Sequence, residues 1–429
     1  MAALYIREAL QGRVQSLHRQ SAVASRTPLP NLSSPTAVVL GLGTAQTLAF
    51  ASTYYLPALL AEPMARDLGV DRASVFAAFS LAMGVSALVG PAAGRRIDAH
   101  GGRGLLSLTS LGFALGLLAL SAVQGLWSLV AAWLLLGVAM GAGFYEAAFA
   151  ALVWLYGRDA GRAITGITLV AGFASTVGWP LSAWMEAAFG WRGACIGWAL
   201  LHLGLGLPLN AALPRERHRI SAEARGGPAR ANSAAAAPDE APPPQRPALV
   251  VALLAFVFAA AWFGSTAMAA HLPRLLQASG ATLAAAVAAG ALVGPAQVAG
   301  RWLEFTLLRR LHPLLSARLA ALGHPLGAAL LAVVGAGAGW AAGAFALLHG
   351  LGNGILTIAK GTLPLIYFGP VGYGHRQGWL MMPARIAQAA APWLFGLALD
   401  AWGAAALALT AGLGLAALVA LGLLPRPPR

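Results

Sequence analysis

The sequence predicts an all-α membrane protein with twelve transmembrane helices in two pseudo-symmetric six-helix bundles. Of its 429 residues, 59% are hydrophobic and only 10% are charged. Soluble proteins carry roughly 25% charged residues, so much of this apolar surface must face lipid. Two further observations support the assignment: twelve apolar runs are long enough to cross a bilayer, and one six-residue stretch occurs in both halves of the chain.

Each of the twelve apolar runs has at least the roughly 20 residues that cross about 30 Å of hydrocarbon. They lie near residues 36–60, 73–97, 104–123, 127–155, 163–186, 191–213, 248–276, 281–303, 314–334, 338–367, 377–399 and 403–424. The 52 glycines and 26 prolines fit this assignment. Both residue types are common in membrane helices, where small side chains allow close packing.

The connections between the runs predict the orientation of the chain. Its net charge is +14, and the basic residues cluster in every second connection. These connections hold Arg95, Arg96, Arg158, Arg162, Arg301, Arg309, Arg310 and Arg376. Basic loops face the cytosol, so we expect both termini there, in a bacterial inner membrane. Because the clusters lie between apolar runs, the charge indicates membrane orientation and no nucleic-acid partner.

A repeat and a polar linker predict the domain organisation. Ala-Leu-Val-Gly-Pro-Ala at residues 87–92 recurs letter for letter at 291–296, and parallel six-span repeats are a known transporter plan. Residues 214–247 are rich in Arg, Ala, Pro and Gly and predict a cytosolic linker. We therefore expect a cytosolic tail at 1–35, helix bundles at 36–213 and 248–424, and a cytosolic tail at 425–429.

A short motif adds a family resemblance. Residues 94–103, Gly-Arg-Arg-Ile-Asp-Ala-His-Gly-Gly-Arg, resemble the signature between the second and third helices of the major facilitator superfamily. Gly94, Asp98, Gly101 and Arg103 occupy the signature positions, whereas Ala99 stands where an arginine is usual. The chain looks nearest to bacterial, monocarboxylate-porter-like members. The resemblance, over residues 36–424, implies a secondary transporter whose first, fourth, seventh and tenth helices line a central cavity.

Asp98 is the centre of a predicted conformational latch. A carboxylate at a helix end can hold the two halves together on the cytosolic side through arginines of neighbouring loops. We expect Gly94, Gly101, Arg103 and Arg162 to belong to this latch. The alternative is a solvated loop pair without a conformational role.

Glu146 is predicted to carry the coupling proton. It lies about ten residues from the cytosolic end of the fourth run, which is roughly 15 Å at the helical rise. An ionisable group at that depth is costly and indicates function. The alternative is a structural acid that is protonated or held in an ion pair.

Lys360 belongs to a polar stripe in the tenth run. His349, Asn353, Thr357, Lys360 and Pro364 recur at spacings of three and four, so they share one helix face, which must contact protein or water. We expect Lys360 to bind an anionic substrate together with Asn353 and Thr357, or to pair with Glu146 when the site is empty. The alternative is a lysine that extends to the cytosolic surface.

Arg385 and Gln388, one turn apart in the eleventh run, complete the predicted substrate site with Gln46 and Tyr54 of the first run. An arginine fork suits a carboxylate, and the other three side chains offer hydrogen bonds. The alternative for Arg385 is packing against backbone carbonyls.

The sequence predicts a transporter and not an enzyme. It holds no catalytic or metal-ligating constellation and no phosphate-binding loop, so we expect no cofactor. His202 and His324 are isolated in the sequence, and we interpret them as interior histidines with satisfied hydrogen bonds. We expect a monomer whose partners are the lipid bilayer, protons and a small organic anion taken up by symport. The alternatives are proton-driven efflux of a toxic or drug-like compound, or a membrane sensor on a transporter scaffold.

Overall fold

A computed structural model describes residue 32, residues 34–215, residue 244 and residues 246–425 of the chain. All regular secondary structure within these ranges is helical. The predicted N-terminal tail, linker and C-terminal tail fall almost entirely outside the described residues, so their boundaries stay predictions.

The described part of the first half contains nine α-helices. They are α1 Pro35–Ala49, α2 Pro57–Leu68, α3 Arg72–His100, α4 Gly102–Ser121, α5 Leu126–Gly143, α6 Tyr145–Tyr156, α7 Ala160–Ala171, α8 Ala174–Leu201 and α9 Leu207–Ala211. Helices α1 and α2 form the first span, and α5 and α6 form the fourth. Gly190, with φ of 70°, breaks α8 between the fifth and sixth spans.

The second half has one helix per span. These helices are α10 Pro247–Ala278, α11 Leu283–Thr306, α12 Pro313–Val334, α13 Gly339–Phe368, α14 Tyr373–Trp402 and α15 Leu407–Leu423. Nine continuous helical stretches among the described residues are long and apolar enough to cross a membrane. Because Leu126–Ala211 contains three predicted spans and Tyr373–Leu423 contains two, these stretches account for all twelve.

The outside of the bundle carries large apolar side chains. Trp127 is 83% exposed, Val333 87% and Leu88 69%. Side chains of this size on the outside of a soluble protein form patches that drive association. In a bundle that spans a bilayer, the same side chains contact lipid.

The first and fourth spans are among those interrupted inside the membrane, where the sequence predicts continuous helix. The first span contains a π-helical turn at Phe50–Tyr54. The fourth span stops at Phe144, whose φ and ψ of −80° and −171° are extended. The Gln46 amide donates to the Gly143 carbonyl over 2.7 Å. A freed backbone carbonyl is thereby satisfied, which is what the membrane interior requires at a break.

One exposed ion pair joins separate elements within each half. Arg192 pairs with Asp67 in the first half, and Arg274 pairs with Asp400 in the second. All four side chains are 41–59% exposed. Exposed pairs contribute about 1 kcal/mol or less, so packing and not these pairs stabilises each half.

Candidate functional site

The break in the fourth span positions Glu146. Helix α5 ends at Gly143 and α6 begins at Tyr145, so Glu146 lies in the first turn of a new helix. The partial positive charge of a helix N-terminus stabilises a carboxylate there. Broken helices of this kind line binding sites in transporters.

Glu146 is held by two cations from the other half of the chain. Its Oε1 lies 3.3 Å from the Lys360 ammonium of α13, and its Oε2 accepts from the Arg385 guanidinium of α14. The three side chains are only 3–9% exposed. Arg385 also donates to the Ser86 hydroxyl of α3 over 2.7 Å. The structure therefore contains a carboxylate seated in a buried two-cation site.

Aromatic rings surround both cations. The Lys360 nitrogen lies 4.4 Å from the centroid of the Trp262 ring and 4.8 Å from that of Tyr145. The Arg385 guanidinium lies 5.6 Å from the centroid of the Phe144 ring. Ring faces attract cations without neutralising them, so both cations stay available for an anion.

A small cavity adjoins the ion pairs. It brings together five of the predicted site residues, which are Tyr54, Glu146, Lys360, Arg385 and Gln388. The space open to the centre of a water molecule is about 20 Å³, enough for one water or two. Gln388 donates to the Tyr54 hydroxyl over 2.9 Å. Binding of any organic molecule therefore requires this cavity to widen.

The other predicted substrate residues lie outside the lining of this cavity. Gln46 donates to the Gly143 carbonyl at the break in the fourth span, and the Oε1 atom of Gln46 has no hydrogen-bond partner. Asn353 donates to the Ser265 hydroxyl over 2.8 Å, and Thr357 donates to the Asn353 carbonyl. These three residues support the surrounding backbone and neighbouring helices in this conformation.

A larger cavity, of about 40 Å³ by the same measure, lies inside the second half and away from the ion pairs. Asn353 lines it together with His324 and His349, whose Nδ1 atoms are 3.0 Å apart. His324 also contacts the Thr410 hydroxyl, so it is an interior histidine with hydrogen-bond partners. This cavity holds no charged side chain in its lining, and the ion-pair site is the stronger candidate for a charged ligand.

Arg301 is a further buried cation, and sequence reasoning assigns it to a charged cytosolic connection. The structure instead places it inside α11, which continues to Thr306, with 6% of its surface exposed. Its guanidinium packs against Gly172, where α7 ends. The sequence does contain a signal for this placement. The apolar residues Trp302, Leu303 and Phe305 follow Arg301, which indicates that the span continues beyond it.

Asp98 binds the start of α14 and not an arginine. Its Oδ1 and Oδ2 accept from the backbone amides of Gly374 and His375, each over 2.8 Å. A carboxylate at a helix N-terminus satisfies free amides and interacts favourably with the helix dipole. Gly94 lies against the Gly374 carbonyl so closely that a Cβ at either position would meet backbone or the Asp98 carboxylate. Helices α3 and α14 are therefore in close contact at this end of the bundle, called here the Asp98 end.

The remaining predicted latch residues stay within the first half. Arg103 donates to the Leu213 carbonyl over 3.0 Å, and Gly101 turns the chain between α3 and α4 with φ of 80°. Arg162 is exposed on α7. The structure thus joins Asp98 to α14 through backbone amides, while Arg103 and Arg162 make no hydrogen bond or ion pair with it.

Comparisons with known proteins agree with this architecture. The family model described as the Major Facilitator Superfamily matches residues 42–367. The human organic anion transporter MFSD10 (TETRAN) aligns with a TM-score of 0.64 and 19% identity, over 90% of this chain and 98% of that one. The proton:xylose symporter XylE aligns with 0.68 and 13%, over 91% and 95%.

A third solved structure, the transporter FucP in the outward conformation, aligns with a TM-score of 0.68 and 12% identity, over 92% of this chain and 99% of that one. At these identities the three structures show a shared fold only. A search of curated proteins found no match to the sequence. The family model spans most of the chain, and the twelve spans agree with it: the chain belongs to the Major Facilitator Superfamily.

Proposed function

We propose that this protein takes up a small organic anion together with a proton, by alternating access. The observation that supports the proposal is the Glu146 carboxylate bound between Lys360 and Arg385. A site that already holds one carboxylate in a buried environment has the charges and donors to hold another. The human transporter with the same fold is itself described as an organic anion transporter.

The substrate carboxylate replaces Glu146 on the two cations. An arginine fork and an ammonium match carboxylate oxygens in charge and geometry. Tyr54 and Gln388 line the same cavity and supply further hydrogen bonds. Glu146 turns aside when the anion enters, since one carboxylate at a time fits between Lys360 and Arg385.

The displaced Glu146 then takes up a proton. An ionised carboxylate without a partner is very costly in a low-dielectric interior, and it neutralises instead. The anion and the proton therefore bind together, and the empty site re-forms its ion pairs when both leave. With an inward proton gradient, this exchange of partners drives uptake.

The Asp98 end supplies the proposed gate. Halves 36–213 and 248–424, joined by linker 214–247, rock around the central site, and the contact of Asp98 with α14 closes one end. Gly94 permits the close approach, while Gly101 and Arg103 shape the connection behind Asp98. We place the protein in a bacterial inner membrane, as a monomer with the Asp98 end and both termini in the cytosol.

Counterflow in proteoliposomes tests this function with radiolabelled carboxylates, sugars and cationic drugs. We expect exchange of a carboxylate and none of a sugar or a cation. Arg385→Gln removes a charged hydrogen-bond donor worth roughly 1.5–3 kcal/mol, so anion affinity should fall by about 10–100-fold. Arg318→Gln is the matched control, because Arg318 donates to the Leu421 carbonyl, away from the site. Counterflow of a sugar or a cationic drug, or unchanged affinity in Arg385→Gln, would contradict the proposal.

A further inference from the structure

Arg301 lacks the partners that a buried guanidinium normally has. Its Nε is buried without a hydrogen-bond acceptor, and its strongest contact is a 3.5 Å approach to the Gln297 oxygen. Within the described residues, Arg301 has no carboxylate within 4.0 Å. An unpaired charge inside a protein costs several kcal/mol, so a residue in this state indicates a ligand.

Arg301 lies on a helix that packs directly against the helix of Lys360. Helices α11 and α13 pack closely, with Gly300 against Leu351 and Gly354 against Gln297. Arg301 is thus within about two turns of the level of Lys360, given the 1.5 Å rise per residue. Its positive charge acts on Lys360 together with the charges of Glu146 and Arg385. Arg301 is therefore part of the same electrostatic environment, although it does not line the cavity.

The balance of these four charges is uneven. Lys360, Arg385 and Arg301 contribute three positive charges, and Glu146 contributes one negative charge. One Glu146 oxygen contacts Lys360 and the other contacts Arg385, so Glu146 has no further oxygen for Arg301. A ligand with one carboxylate would replace Glu146 and still leave Arg301 unpaired.

We propose that the substrate is a dianion, and that Arg301 binds its second anionic group. This inference rests on the proposed function, because it assumes that the first carboxylate binds Lys360 and Arg385. The ligand is a dicarboxylate or a similar organic dianion. Its binding requires the cavity to widen toward α11, where the Arg301 guanidinium packs directly on Gly172.

The test uses the full-length protein in detergent and measures the rise in Tm with dicarboxylates of two to six carbons. The probes are each dicarboxylate, its monomethyl ester and its dimethyl ester, so that charge changes from −2 to −1 to 0 on one carbon skeleton. We expect at least one dicarboxylate to bind about tenfold or more tightly than its monoester, since one charged contact is worth roughly 1.5–3 kcal/mol. In Arg301→Gln the dicarboxylate and its monoester should bind with equal affinity.

The outcomes separate this inference from the proposed function. If monoesters bind as tightly as every dicarboxylate, or if Arg301→Gln keeps the preference for dianions, the dianion inference is wrong and the anion carrier stands. Equal binding of the neutral diesters would overturn both. Arg301→Lys is a second variant, for the case that Arg301→Gln does not fold. It keeps a positive charge beside Gln297, so it should retain part of the preference for dianions.

Discussion

Glu146→Gln should abolish proton-driven accumulation of the anion and leave anion-for-anion exchange intact. Glutamine resembles the protonated glutamate of the loaded carrier, so the loaded protein still changes between its two conformations. The empty variant has Lys360 and Arg385 buried without their carboxylate. Removing one member of a buried ion pair costs roughly 3–5 kcal/mol, which slows the return of the empty carrier by about two to four orders of magnitude.

Two assays on the same proteoliposomes separate these steps. Net uptake driven by an imposed pH gradient requires the empty carrier to return, whereas counterflow does not. Glu186→Gln is the matched control, because Glu186 lies at the far end of the fifth span and away from the ion pairs. Net uptake by Glu146→Gln at the wild-type rate would show that Glu146 is not the coupling residue.

Asp98→Asn should shift the protein toward the conformation that is open at the Asp98 end. The carboxylate accepts two backbone hydrogen bonds from α14, and asparagine offers one acceptor and no charge. Charged hydrogen bonds contribute roughly 1.5–3 kcal/mol each, so the conformational equilibrium should move by about 10–100-fold.

Spin labels on both sides of this contact measure the shift. Cysteines at His100 of α3 and Val371 before α14 suit the labels, because both residues are exposed and the single native Cys195 is buried. The two conformations should give two distances between the labels. The longer distance belongs to the conformation that is open at the Asp98 end, and it should become the main population in Asp98→Asn. Asp400→Asn is the control, since its partner Arg274 lies in the same half. An unchanged distance distribution in Asp98→Asn would show that the contact of Asp98 with α14 is not a conformational latch.

The spans and the central charges could be predicted from sequence because each signal is local. Apolar length predicts a span, and an isolated Glu146 or Lys360 deep within one predicts a protein-facing site. The pairing of Glu146 with Lys360 also follows, since two lone opposite charges at similar depth are most stable together. The twelve-span architecture is confirmed by the family match, while the roles of these residues remain proposals.

Other features depend on contacts that no single segment encodes. The stop at Phe144 requires Gln46, 97 residues away along the chain, to satisfy the freed Gly143 carbonyl. The sequence predicts arginine partners for Asp98, yet its partners are backbone amides of α14, which have no sequence signature. The sequence also predicts a loop position for Arg301, because basic residues near the end of a run usually face the cytosol. Only packing of α11 against α7 and α13 shows that its guanidinium is buried.

The central claim is that an incoming anion displaces Glu146 from Lys360 and Arg385, and that Glu146 then takes up a proton. A pH-indicator dye in weakly buffered detergent solution measures this directly when the anion selected by counterflow is added to the purified protein. The account predicts uptake of one proton per bound anion by the wild-type protein and none by Glu146→Gln. Anion binding by the wild-type protein without proton uptake, or equal uptake by Glu146→Gln, would contradict it.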